Sequence, residues 1–350
     1  MTHPSPQTPP RPRSRQVRQR RLQALLLAAL AALGVAGALV GRSHNGHGPG
    51  TPRPAAPPPR ATLEPVRLIS SVVGHLSAPE QNAALAQVGS ASAVLLGGLT
   101  SGNTARTDVV VLHGAREVRD DVLPLAWRDA AAVRLGRAVY LFGGANNITT
   151  SDQILRVSLS GKPAMRVGSL PRPLADIAAA TAGSSAFIVG GFDGKSPSDK
   201  ILSWRPQHRV RVVGKLPHPL RYPAVAALGR DLYILGGTTP AGPSHDVFKF
   251  DTVTHKLSLA ARLPRPSTHA AASAFGCCVY MIGGVQVEGG TPTRRIFAVQ
   301  PGRRHVRPAG RLPVPISDLG AVSQRRRILA IGGRTSAGTV ASIVELRPQR

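Results

Sequence analysis

Residues 131–144 read AAVRLGRAVYLFGG, and the pattern recurs at 224–237 (AVAALGRDLYILGG) and 271–284 (AASAFGCCVYMIGG). In each, two short apolar runs flank a turn led by Gly136, Gly229 or Gly276, and a glycine pair closes the second run. Apolar runs of strand length on either side of a Gly-led turn are a hairpin signal. The first run is built largely from Ala, which suits a strand with little room around it.

Outward from these stretches, a Gly-Gly pair follows an apolar run six times: Gly97-Gly98, Gly143-Gly144, Gly190-Gly191, Gly236-Gly237, Gly283-Gly284 and Gly332-Gly333, spaced by 46, 47, 46, 47 and 49 residues. Composition alone does not generate so regular a period. A seventh pair, Gly289-Gly290, lacks the apolar run and reads as loop. An aromatic ring stands three residues before the first Gly in four repeats, at Tyr140, Phe187, Tyr233 and Tyr280. After each pair come a polar loop, a third apolar run (VVVL, ILRV, ILSW, VFKF, IFAV, SIVEL) and a weaker fourth that ends in Leu-Pro in five repeats. Four strands recurring every 45 to 50 residues predict an all-β propeller of six blades, with the Ala-rich strands innermost where blades converge.

The glycine pair, the aromatic before it and the Asp before the third strand (Asp108, Asp152, Asp199, Asp246) resemble the kelch family of β-propellers, over residues 66–350. The family's Trp on the outer strand is missing: Trp204 lies on a third strand, and Arg295 and Ser342 replace the Asp in the last two repeats. The resemblance implies a six-bladed kelch-type ring and little about activity. The last repeat stops after its third strand, and Val66–Leu76 reads as an orphan fourth strand that would complete it and leave no exposed edge.

The first 62 residues read differently. Nine of the formal +27 charges are Arg residues here, with no Asp or Glu. Six of those Arg precede an apolar run from Leu22 to Val40 in which Gln23 is the one polar side chain. A run of 19 residues suffices to span a bilayer, and the Arg bias places the N-terminus in the cytoplasm. The expected order is a basic cytoplasmic tail (1–21), a transmembrane signal anchor (22–41), a Pro/Gly-rich linker (42–62) and an extracytoplasmic propeller (63–350). Cleavage at the small residues Ala36-Gly37-Ala38 is the alternative, giving a secreted domain. The exported address makes nucleic acid an unattractive partner despite the basic balance.

Counting five residues beyond each Leu-Pro (Leu76-Ser77 in the first repeat) brings Asn82, Asp129, Asp176, Tyr222, His269 and Asp318 to the entrance of the six inner strands, with Arg128 and Arg221 among their neighbours. If this ring faces the axis, it forms a channel mouth suited to hydroxyl-rich or cationic ligands. Turn-capping by the Asp and Asn side chains is the competing reading. Gly-, Ser- and Thr-rich loops between second and third strands lie at the same end, where binding function commonly sits.

The expected function is a binding or interaction module for an envelope protein or an anionic or hydroxyl-rich glycan, with no cofactor, metal or catalytic residue. The alternative is a carbohydrate-active enzyme of the sugar epimerase, mutarotase or oxidase type using the channel mouth. Oxidases resembling this fold need a Cys-Tyr crosslink, but Cys277-Cys278 falls on a hairpin turn at the opposite end. Of five Glu, only Glu80 is expected near the mouth.

Overall fold

The computed structural model describes residues 64–349. The tail, the anchor and the linker expected over residues 1–62 lie outside them. No helix among the described residues is long and apolar enough to cross a membrane. The architecture is all-β, a propeller-like arrangement of small antiparallel sheets.

Four sheets have four strands each, ordered as in the chain. The first contains Ala84–Gln87, Ser92–Leu96, Arg106–His113 and Arg116–Trp127; the second Ala131–Leu135, Ala138–Phe142, Gln153–Val157 and Met165–Ser169. The third contains Ala175–Ala182, Ser185–Phe192, Ser198–Trp204 and Arg211–Leu220; the fourth Ala224–Leu228, Asp231–Leu235, Asp246–Asp251 and Leu257–Arg262. Two short hairpins, Thr238–Thr239 with Gly242–Pro243 and Arg334–Thr335 with Gly338–Thr339, stand apart, and eight further strands form one sheet. Its first half runs through Ala271–Phe275, Cys278–Ile282, Arg295–Val299 and Val306–Arg311. Its second half holds Gly320–Gln324, Arg327–Ile331 and Ser342–Pro348, with Leu68–His75 outermost. A single parallel bridge, Leu68 to Gly310, joins the halves.

Leu68–His75 pairs antiparallel with Ser342–Pro348, from Leu68 opposite Pro348 to His75 opposite Ser342. Leu68 is buried against Tyr280, Ile296 and Leu346, and the Tyr280 hydroxyl donates to the Val66 carbonyl and accepts from the Val66 amide, both at 3.1 Å. The N-terminal strand is therefore held by a ladder, a core side chain and a tyrosine clamp.

The glycine pairs set the spacing between sheets. A Cβ on Gly97 would lie 2.1 Å from the Trp127 carbonyl oxygen at the end of the same sheet's outer strand, where the chain leaves for the next sheet, and one on Gly332 would lie 2.4 Å from the Glu80 carbonyl of the first repeat. Both glycines have φ above +60°, where L side chains are disfavoured. The second glycine then donates its N–H across the gap, Gly98 to Trp127 O and Gly333 to Glu80 O, each at 2.7 Å. Buried clusters fill the spaces between successive sheets, and one joins Ala93 and Leu95 of the first repeat to Val322, Leu329 and Ile331 of the last.

In detail, some edges differ from the sequence reading. The pair Gly190-Gly191 lies inside Ser185–Phe192, because that strand continues to a bridge with Pro197. Arg116–Trp127 and Arg211–Leu220 run past their Leu-Pro, since Pro at an outermost strand removes no ladder bond that a neighbour needs.

Candidate functional site

Each inner strand is entered through one residue in the left-handed region. Asn82, Asp129, Asp176, Tyr222, His269 and Asp318 have φ between 49° and 57°. Asn, Asp and His tolerate this conformation better than most residues, whereas a bulky Tyr is an outlier there. The bend turns each backbone N–H toward the preceding repeat. Asn82 donates to Asp318 O (3.0 Å), Asp129 to Asn82 O (3.2 Å), Asp176 to Asp129 O (2.9 Å), Tyr222 to Asp176 O (3.0 Å) and Asp318 to His269 O (2.9 Å). At the remaining junction, Tyr222 and His269 stack with ring centroids 3.9 Å apart. The six residues anticipated at the mouth thus form a ring, and the positions before them bridge the residues just after the glycine pairs, as in Arg128 with Ala145 and Arg221 with Thr238.

The side chains satisfy one another. Asn82 Nδ2 donates to Asp129 Oδ1 at 2.5 Å, and Arg128 pairs with the other Asp129 oxygen. Arg221 Nε lies 2.7 Å from Asp176 Oδ2, its η-nitrogen reaches the Tyr222 hydroxyl at 3.3 Å, and its guanidinium sits over the Phe192 ring at 4.3 Å. His269 Nδ1 lies 2.5 Å from Asp318 Oδ1, and Ser317 donates to Asp318 Oδ2 at 2.6 Å. On its other side, His269 Nε2 meets Glu288 Oε1 at 3.2 Å. The ring and the residues that follow it line a cavity of about 120 Å3.

Arg128 and Arg221 compensate Asp129 and Asp176, so these two carboxylates are already paired within the ring. Glu80 is buried with its carboxylate beside Gly98, and Glu288 is the glutamate that meets His269. Sequence reading missed Glu288 because its loop carries the irregular Gly289-Gly290 pair. Phe192 and Thr238 were also missed, although both directly follow a glycine pair and share its period. Among the described residues no group of three or more His, Cys, Asp or Glu is placed to hold a metal ion. Cys277 and Cys278 carry free thiols, and burial pushes Cys278 up.

Burial, followed by the Asp176 charge, raises the Asp129 carboxyl to about 6 against the partial relief of Arg128. Burial pulls His269 down, but the Asp318 hydrogen bond and charge, with Glu288, more than reverse it. Burial and the nearby Asp129 and Asp176 push the Tyr222 hydroxyl up.

The sign of the resulting pH dependence follows. Between about pH 4 and 6 the folded chain keeps a proton on Asp129 that the unfolded chain has released, so stability falls as pH rises through that window, by on the order of 2–3 kcal/mol. A raised His269 acts with the same sign, its stabilisation being lost as pH rises through its folded pKa. Asp129→Asn is expected to flatten the decline of Tm between pH 4 and 6; an unchanged slope would assign it elsewhere.

Comparison with known proteins agrees with this architecture. A family model for the kelch motif matches residues 219–262, which hold the fourth sheet and its glycine pair. No curated protein is matched by the sequence. The fold is similar to that in "Structure of YjhT", with a TM-score of 0.69 at 15% identity over 80% of this chain and 100% of that one. The kelch motif is thus matched on one of the repeated four-stranded sheets, and the propeller-like fold has a counterpart among solved structures.

Proposed function

We propose that the chain is a six-bladed propeller held on the outer side of a membrane by residues 22–41. In this reading it binds an envelope protein, or an anionic or hydroxyl-rich glycan, through the loops around its mouth. Six glycine pairs, six left-handed ring residues and a last-to-first contact at Gly333 support the count, with the eight-stranded sheet taken as two blades bridged at Leu68.

One observation carries the binding role. The ionisable side chains of the mouth are engaged with each other around a space of about 120 Å3, well below the ~300–1,000 Å3 of small-molecule pockets. Recognition then falls to the surrounding loops, which expose Ile148 and Val287 to solvent. Large apolar side chains on loops of a rigid scaffold suit a partner surface.

The poised Asp129, in the same ring as His269, favours the second reading, a carbohydrate-active enzyme. Binding of the full chain to a glycan array and to immobilised envelope proteins, together with sugar turnover, separates the two. Ile148→Asp and Val287→Asp are expected to weaken binding at least about tenfold, with Asp129→Asn binding as wild type. Turnover abolished by Asp129→Asn, with loop variants unaffected, would contradict the binding module and establish the enzyme.

A further inference from the structure

A cavity larger than the one at the mouth lies at the end opposite the ring. The inner strand Gly320–Gln324 starts two residues after Asp318 and ends at the turn Arg325-Arg326. That turn, with Arg347, Pro348, Ile69, Ala274 and Phe275, lines a groove of about 1010 Å3. Two adjoining cavities share its residues and add Arg67. Arg67, Arg325, Arg326 and Arg347 are exposed and have no carboxylate partner among the described residues; the nearby Glu345 is taken by Arg327 at 2.7 Å. Exposed guanidinium groups beside an apolar floor, with no acid to neutralise them, form half of an amphiphile's complement.

We propose that this groove binds the headgroup of an anionic phospholipid, with the phosphate held by Arg325, Arg326 and Arg347 and the acyl-bearing glycerol resting on Phe275, Ala274, Ile69 and Pro348. Three features favour this occupant. The groove pairs charge with apolar surface inside one cavity, as an acidic peptide does not require. Residues 1–62 carry nine Arg and no acid, so their sequence does not complement the charge of the groove. Ile69 of the first described strand and Arg67 just before it line the groove and an adjoining cavity, and in the sequence they follow a Pro-rich stretch preceded by the apolar run Leu22–Val40. The inference rests on the tether reading for its setting: an anchored chain meets anionic lipid at high local concentration, and a basic patch adds a second membrane signal.

The test uses the full chain in micelles of an uncharged detergent, titrated with short-chain phosphatidylglycerol, short-chain phosphatidylcholine, glycerol phosphate and an oligoglutamate peptide. Phosphatidylglycerol is expected to saturate, with phosphatidylcholine and glycerol phosphate at least about tenfold weaker, since each lacks net charge or apolar contact. Arg326→Gln with Arg347→Gln should weaken phosphatidylglycerol about thirtyfold, at about 1 kcal/mol per charge, with wild-type Tm. Should that variant misfold, a photoreactive phosphatidylglycerol on the wild-type chain should label residues 274–276 or 347–349. Equal binding of phosphatidylcholine, tighter binding of oligoglutamate, an unaffected double variant or labelling elsewhere would overturn the proposal. Recovery of the chain in a soluble fraction would sink the tether reading and leave the micelle result standing by itself.

Discussion

Gly236→Ala is expected to cost at least about 3 kcal/mol, while Gly229→Ala, seven residues earlier, costs about 1 kcal/mol. The two glycines have nearly equal φ, +59° and +63°, so backbone strain is common to both. They differ in surroundings: a Cβ on Gly236 would meet the Ser267 carbonyl oxygen at 2.1 Å, whereas one on Gly229 meets nothing within 4 Å. The clash is with backbone of the link that leads to the next sheet and cannot be relieved by a rotamer change. Moving that link would also pull Gly237 N–H from Ser267 O, now 2.9 Å apart. Denaturant unfolding of both variants measures the difference. Equal losses would mean that the glycine pairs serve local turn geometry and not the approach of neighbouring sheets.

Deleting residues 64–76 should leave the chain insoluble or unfolded. The deletion removes the ladder partner of Ser342–Pro348, the buried Leu68 and the partner of the Tyr280 hydroxyl together. The exposed edge would then invite association with other chains. A milder change isolates the packing component. Leu68→Ala, at a side chain only 2% exposed, should cost about 2–4 kcal/mol with the ladder intact. A soluble deletion variant with wild-type Tm would show that the strand is dispensable and that the last sheet stands without it.

The repeat was legible because it is written in residues with few alternatives. A glycine is needed where a Cβ would strike a neighbouring carbonyl, and Ala is favoured where inner strands converge, so Gly236 and Ala224–Leu228 announce their places. The ring residues were found by a fixed offset from Leu-Pro, which works because every repeat enters its inner strand through the same left-handed bend. Their chemistry was not legible. The compensation of Asp176 by Arg221 and the stacking of Tyr222 on His269 join different repeats, 45 and 47 residues apart in the chain. Turn capping and ligand binding remained alternatives in the sequence for the same reason. The groove of Ile69, Phe275, Arg325 and Arg347 was hidden further, since it gathers the first and last described strands and the inner hairpin turns of two repeats, which differ in residue type.

Closure of the ring by the N-terminal strand is the claim on which the blade count, the core joining first and last repeats and the geometry of the groove all depend. Amide hydrogen exchange of the full chain tests it most directly. The amides of Leu68–His75 and Ser342–Pro348 should be protected together and should become exchangeable in one cooperative step with Arg327–Ile331, the strand beside them. Rapid exchange throughout Leu68–His75, while Arg327–Ile331 stays protected, would contradict the closed ring.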